Sequence, residues 1–295
     1  MIDFSNYGKF LNDEPLNKHT TFKIGGNARY VLIPKDEKSF VGALKEAREQ
    51  NIKYFIMGNG SNVLVDDAGY GGLVIILKST LNDVEIQGDE ITAGAGISLR
   101  ELSNFALENS LSGLEFAHGI PGSLGGGVIM NAGAYEGEMK DVVKSVRILD
   151  DDLNILKLTK EEMSFSYRNS IAQERGYVVL SATFSLNRNK SKKEIKDKMD
   201  DFWQRRCSKQ PLEFPSAGST FRRPEGYFAG KLIDDCGLRG LRHGGAMVSD
   251  KHCGFVVNTD KATSKDVKEL IEMIQKVVYD KYKVNLICEV KFIGG

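Results

Sequence analysis

Between His118 and Gly127 the chain places Gly119, Gly122, Gly125, Gly126 and Gly127 around a single proline, Pro121. Few features restrict a fold as tightly. Glycine-dense backbone lets successive N–H groups turn inward and approach a ligand closely, because no Cβ stands in the way. Pro121 is expected in the first turn of a short helix, where its missing N–H costs nothing. A helix starting at such a loop offers free N–H donors and the positive end of its dipole to an anion, most often a phosphate. Close packing of a turn between helix and strand is the competing explanation. It accounts for one or two of these glycines more easily than for all of them.

A second small-residue loop, G-N-G-S-N at 58–62, sits at the end of an expected strand–helix–strand unit. The strands are read at 28–33 and 52–57, and the helix between them over 36–50, from Phe40, Ala43, Leu44 and Ala47 at helical spacing. Such a loop suits ligand binding at strand termini. No lysine follows the glycines, so it is not a P-loop, and Val63 stands where a dinucleotide fingerprint needs its third glycine. A plain turn is the alternative.

Further strands are read at 73–77, 84–87 and 91–93, the last two joined through Gly88 and Asp89. Ser98 and Glu101 form a capping box that opens a helix to about Asn109. A hairpin is expected from 142–149 and 154–158 around the acidic turn 150–152, then a second capping box at Thr159 and Glu162, and a strand at 177–186. The basic run 187–198 reads as the solvated face of a helix capped by Ser191 and Glu194, whose apolar side is Ile195, Met199, Phe202 and Trp203. It marks a domain boundary.

Beyond the boundary lie a small-residue turn at 215–221, a helix at 228–236 stopped by Gly237, and a core stripe of Val267, Leu270, Ile271, Ile274, Val277 and Val278. A final strand is read over 286–293, with Glu289 inside its apolar run. That carboxylate either occupies the exposed side of the sheet or is a functional group.

Composition narrows the class of partner. Basic and acidic residues balance at 40 each, which gives no electrostatic case for a nucleic-acid or membrane-surface partner. The apolar run 73–77 is far too short to span a bilayer, and the N-terminus, with Asp3, is no signal peptide. Cys207, Cys236, Cys253 and Cys288 form no C-x-x-C pair, which argues against both zinc and a disulfide framework and for a cytoplasmic protein.

Seven blocks, taken together, resemble the UDP-N-acetylenolpyruvoylglucosamine reductases. They are T-T-F-K-I-G-G-N-A at 20–28, G-N-G-S-N-V-L-V at 58–65, G-I-P-G-S-L-G-G at 119–126, M-N-A-G-A-Y at 130–135, Y-R-N-S at 167–170, A-G-S-T-F at 217–221 and E-V-K-F-I-G at 289–294. They occur in the family's order across nearly the whole chain. The resemblance implies an α+β protein: a flavin-binding fold of the vanillyl-alcohol-oxidase type in two subdomains, 1–70 and 71–190, and a smaller α/β substrate domain over 191–295. The last strand is expected to return to the first subdomain.

The same resemblance implies a chemistry. NADPH would reduce noncovalent FAD, and the flavin would reduce UDP-N-acetylglucosamine enolpyruvate to UDP-N-acetylmuramate for peptidoglycan. The cofactor would be held by Gly58, Asn59, Gly60, Ser61 and Asn62 on one loop, and by Gly119, Pro121, Gly122, Ser123, Gly125 and Gly126 on the other, with Asn131 and Ala132. Arg168 and Glu289 would stabilise an enol-type intermediate and Ser219 would donate the proton, Glu289 acting protonated or sharing a proton. Tyr135, Arg206, Lys209, Arg222 and Arg223 would face substrate, and His118 is read as structural. Two departures stand out. The short connection 187–190 leaves no room for the substrate-covering tyrosine insertion of one subclass, and Gly127 replaces the family's usual alanine. A monomer is expected. A flavin oxidoreductase with another substrate, and a nucleotide-binding module without catalysis, are the alternatives.

Overall fold

The computed structural model describes residues 2–295 as a mixture of helices and mostly antiparallel sheets. Its contacts divide the chain into two compact units. One comprises the chain up to Phe10, Leu32–Asn59 and Ile75–Arg206; the other comprises Leu11–Val31, Gly60–Val74 and Cys207–Gly295.

The first unit is built on a five-stranded sheet in the order Ile155–Thr159, Val143–Leu149, Val178–Ser185, Glu90–Gly94, Val84–Gln87. The expected hairpins are both present: Val143–Leu149 pairs antiparallel with Ile155–Thr159, and Val84–Gln87 with Glu90–Gly94. Helix Leu99–Glu108 starts at the expected capping box, with Ser98 Oγ accepting from the Glu101 N–H and the Glu101 carboxylate accepting from the Ser98 N–H. Its buried side (Leu99, Leu102, Ala106 and Leu107) joins Phe116, Leu124, Val128, Ile148 and Phe184 in or beside the core. The Thr159–Glu162 box also closes, yet the chain there makes a turn and no helix. Lysine-rich Lys192–Lys209 is helical and buries Ile195, Met199, Phe202 and Arg206, while Trp203 stays part-exposed at its flank.

The second unit surrounds helix Ser264–Tyr282, whose buried residues include Val267, Leu270, Ile271, Ile274 and Val278. Val277, expected in that stripe, is 37% exposed, because it falls at the edge of the apolar arc. A three-stranded sheet, Arg242–His243, Ala246–Val248, Val256–Asn258, packs with helix Ala229–Asp235, and Gly237 ends that helix with φ +73°. The C-terminal strand is shorter than expected. Lys291–Ile293 pairs parallel with Val63–Val65, while the preceding residues cross-link to another segment through a bridge between Phe221 and Cys288. Among the described residues no helix is long and apolar enough to cross a membrane, and no group of acidic, His and Cys side chains could hold a metal ion.

Candidate active site

In the first unit the glycine-rich stretch is stitched to the segment before helix Leu99–Glu108. The Leu124 N–H donates to the Ile97 carbonyl at 2.8 Å, Gly125 N–H to Ala95 at 2.9 Å, and Leu99 N–H to Gly122 at 3.0 Å. These bonds make Ser98 and Ser123 an antiparallel bridge. Ser123 is the residue before helix Leu124–Ile129, so Pro121 precedes that helix and is not in its first turn as expected. Two constraints pull the start downstream: Ser123 has the extended backbone of a helix cap, and the Gly122 carbonyl is already committed to Leu99.

The glycines of this run do different jobs. A Cβ on Gly125 would lie 3.0 Å from the Ala95 Cβ, one on Gly127 3.1 Å from Leu99 Cδ1, and one on Gly119 2.6 Å from Arg206 Nε. Those positions are glycine because neighbours press on them. Gly126 differs: it is exposed, and a Cβ there would meet only Ser123 Oγ, at 3.6 Å. Among the described residues the N–H groups of Gly122, Ser123 and Gly126 donate to no protein acceptor. Open donors beside an uncrowded glycine at a helix start form a cradle that a Cβ would partly fill, and a diphosphate fits it. Gly58 belongs to the same arrangement, since its missing Cβ makes room for Ser123 Oγ, and Asn59 donates its side-chain N–H to the Pro121 carbonyl at 3.2 Å. The Asn59 Oδ1 is buried with no partner among the described residues.

Asn131 and Ala132 follow this helix. Asn131 is fully buried, and its amide bridges Glu138 and the Ser166 carbonyl while accepting from the Lys140 N–H. Its side chain is thereby spent inside the unit, where it holds the turn carrying Tyr167 and Arg168. Ser166 and Asn169 pair across that two-residue turn, and Arg168 adopts φ +57°. A left-handed backbone costs an arginine about 1 kcal/mol or more, so the turn holds it against its preference. Tyr135, also left-handed at φ +57°, stacks on Phe202 at 4.8 Å. His118 stands edge-on to Trp203, and Arg100 lies over the same indole at 4.5 Å. Burial, then the charge of Arg100, pushes the His118 imidazole below its ordinary pKa. Arg206 is buried beneath Gly119.

The second unit brings together three sequence-distant segments. The turn 215–221 is pinned along its length: Ser216 bridges Val257, the Thr220 N–H donates to the Gly254 carbonyl at 2.8 Å, and Thr220 Oγ1 accepts from the Val256 N–H at 2.9 Å. Gly218 supplies the left-handed step, with φ +77°. Ser219 is exposed, and its hydroxyl makes no hydrogen bond among the described residues, while Thr220 beside it is buried. The Glu289 N–H donates to the Thr220 carbonyl at 2.8 Å, beside the isolated bridge between Phe221 and Cys288, so the segments carrying Ser219 and Glu289 are directly paired. Asn62 completes the set by donating its amide N–H to the Glu289 carbonyl at 3.2 Å.

Of the cationic residues, Arg222 has its Nε buried with no partner among the described residues, Arg223 lies over the Phe228 ring at 4.0 Å, and Lys209 is exposed. Gly60 packs against the His19 carbonyl, and the N–H groups of Gly60 and Ser61 have no protein acceptor among the described residues. Thr21 and Thr220, which hold these segments, are absent from the set expected from sequence. The T-T-F block at 20–22 was the available signal for Thr21; nothing in the sequence pointed to Thr220.

Comparison with known proteins settles the family. Residues 28–159 match the FAD binding domain model and residues 210–293 match UDP-N-acetylenolpyruvoylglucosamine reductase, C-terminal domain. A UDP-N-acetylenolpyruvoylglucosamine reductase from Clostridium perfringens is 52% identical over 292 residues, 99% of this chain and 95% of the relative. The chain belongs to the UDP-N-acetylenolpyruvoylglucosamine reductase family. A second reductase of that name, from Caldanaerobacter subterraneus subsp. tengcongensis, is 52% identical over 97% of this chain and 94% of its own length. The crystal structure of the reductase from Thermus caldophilus superposes with a TM-score of 0.81 at 33% identity, covering 97% of this chain and 98% of that one. The fold is therefore that of these reductases, with a FAD-binding domain in its N-terminal half.

Proposed function

We infer that this chain reduces UDP-N-acetylglucosamine enolpyruvate to UDP-N-acetylmuramate for peptidoglycan precursor synthesis, with noncovalent FAD as its cofactor and NADPH as the hydride donor. The observation that carries the assignment of roles is the pairing of the Ser219 and Glu289 segments within one unit, with the Ser219 hydroxyl unengaged and exposed. When bound, FAD supplies the hydride chemistry that no amino-acid side chain can. Unused N–H groups at Gly122, Ser123 and Gly126 would hold its diphosphate, and Gly60 and Ser61 keep the cofactor-binding assignment that the family resemblance gives them.

Reduction of the enolpyruvyl group at its terminal methylene carbon leaves negative charge on the neighbouring carbon and in the substrate carboxylate. Arg168 and Glu289 are assigned to stabilise that charge, Glu289 in a protonated or proton-sharing form, since an ionised carboxylate would oppose it. Ser219 is assigned to protonate the carbon. A hydroxyl is a weak acid, but an enolate-like carbon is a strong enough base to take its proton, and water then restores the serine. Arg222 and Arg223 are assigned to the nucleotide diphosphate, which a guanidinium fork matches, and the buried unpaired Nε of Arg222 supports this. Lys209, Arg206 and Tyr135 complete the substrate assignments, and residues 191–295 are taken as the substrate domain. The enzyme is placed in the cytoplasm as a monomer; all four cysteines are free thiols.

The test is spectroscopic. Purified protein should be yellow, should bleach with NADPH under anaerobic conditions, and should regain colour on addition of the enolpyruvyl nucleotide sugar. Bleaching without that recovery would point to a flavin oxidoreductase with another substrate, and a colourless protein that takes up no added FAD would overturn the assignment.

A further inference from the structure

The block T-T-F-K-I-G-G at 20–26 has no place in the chemistry above, and the second unit shows what it touches. Phe22 and Ile24 are buried in the core of that unit. The Gly26 N–H donates to the Asp66 carbonyl at 2.9 Å, which fixes the block beside strand Val63–Val65. Thr21 reaches in two directions. Its backbone N–H donates to the Gly60 carbonyl at 3.1 Å, and its hydroxyl donates to the Ser216 carbonyl at 2.7 Å, across 195 residues of sequence.

We propose that Thr21 is a positioning residue for the proton-donor turn: its hydroxyl ties the loop carrying Gly60, Ser61 and Asn62 to the turn carrying Ser219. The inference rests on the flavin reductase reading given above and deepens it. The other anchors of the 215–221 turn come from the sheet strand Val256–Asn258 and its approach, through Val257, Gly254, Val256 and the Asn258 N–H on the Pro215 carbonyl, and from the 288–289 segment, through Cys288 bridging Phe221 and the Glu289 N–H on the Thr220 carbonyl. Those bonds fix the turn to the body of the unit. The Thr21 hydroxyl fixes it directly to the residue whose N–H holds the Gly60 carbonyl, in the loop whose free N–H groups are assigned to the cofactor. Asn62 makes the corresponding tie on the other side, from that loop to the Glu289 carbonyl.

The consequence is geometric. Proton transfer to carbon demands a donor placed to within a fraction of an ångström, and a misplacement of about 1 Å can cost on the order of 100-fold. A donor set by the same loop that sets the cofactor keeps its distance to the reacting carbon constant when either shifts. Thr21 itself touches neither partner; it acts through the backbone of Ser216.

Thr21→Val keeps the shape of the side chain and removes the donor, whereas Thr21→Ser keeps the donor. In the loaded enzyme, the expected result for Thr21→Val is bleaching by NADPH within about twofold of wild type, recovery of colour with the enolpyruvyl sugar slowed about tenfold or more, and faster amide exchange at 216–221. Thr21→Ser should restore the recovery rate to within about threefold. Thr21→Cys, with a weaker donor, gives the same comparison if the valine protein does not accumulate. Equal rates for both steps with unchanged exchange would overturn the proposal, and so would equal loss of both steps with exchange unchanged, which would make Thr21 a cofactor holder only. Wild-type protein that never recovers colour with this sugar would instead defeat the functional reading on which the proposal rests.

Discussion

The glycine-rich stretch 119–127 and the turn 215–221 are both rich in small residues, but they are constructed oppositely. In the first, most of the glycines answer pressure from behind: Ala95 against Gly125, Leu99 against Gly127, Arg206 against Gly119. Around Gly126 the absence of a side chain leaves open space beside N–H groups that have no protein acceptor among the described residues. In the second, one glycine suffices, and the backbone is bonded on either side of Ser219, at Pro215 and Ser216 and again at Thr220, so that a hydroxyl with no hydrogen bond among the described residues projects between fixed points. The first design suits grip on a diphosphate by many weak donors. The second suits delivery of one proton to one atom.

Apart from loss of the Ser219 hydroxyl, the largest expected effect that sharpens this contrast comes from the glutamate paired with that turn. Glu289→Ala should slow the enolpyruvyl step by about 10²–10³-fold, the usual cost of removing one group that stabilises developing charge. Glu289→Gln, which keeps a neutral donor, should lose distinctly less if the glutamate works protonated. Rapid-mixing measurement of colour recovery separates the two, and equal losses would argue for an ionised carboxylate.

Smaller effects divide the glycines. Gly125→Val overpacks Ala95 and should lower stability by about 1–3 kcal/mol, visible as a lower denaturation midpoint. Gly126→Ala meets open space in a helix and should leave stability unchanged or slightly raised, yet weaken FAD binding when apoprotein is titrated. Reversal of that pattern would mean that the cradle has been assigned to the wrong glycine. Thr220→Val leaves the buried Val256 N–H without its acceptor and should cost about 1–3 kcal/mol.

The smallest effect concerns pH. The folded pKa of His118 lies below its ordinary value of 6.5, chiefly through burial and then Arg100. Its stability contribution is therefore complete above pH 6.5 and is lost as pH falls through the folded value. Acidification from about pH 7.5 to about pH 5.5 should thus lower the melting temperature of wild type more than that of His118→Phe.

What could be read from sequence was local. The capping boxes at Ser98 and Ser191 and the two hairpins of the first unit follow from neighbouring residues, and the structure has them. The family blocks led to the fold and the reaction class, which the relatives bear out. Three features were beyond local pattern. The helix after Pro121 was started about one turn too early, because the bond from Leu99 to the Gly122 carbonyl depends on a distant segment. The final strand was read too long, since residues near Cys288 pair with Phe221 before Lys291–Ile293 turns to Val63–Val65. The Thr21 hydroxyl bond spans 195 residues and leaves no periodic trace.

Ser219 in its pinned turn is proposed as the proton donor, and the glycine loops are assigned to the cofactor. Anaerobic half-reactions of Ser219→Ala test it most directly. The account predicts that NADPH still bleaches the flavin at close to the wild-type rate while recovery with the enolpyruvyl sugar falls by about 10²–10⁴-fold. Loss of both steps, or of neither, would contradict it.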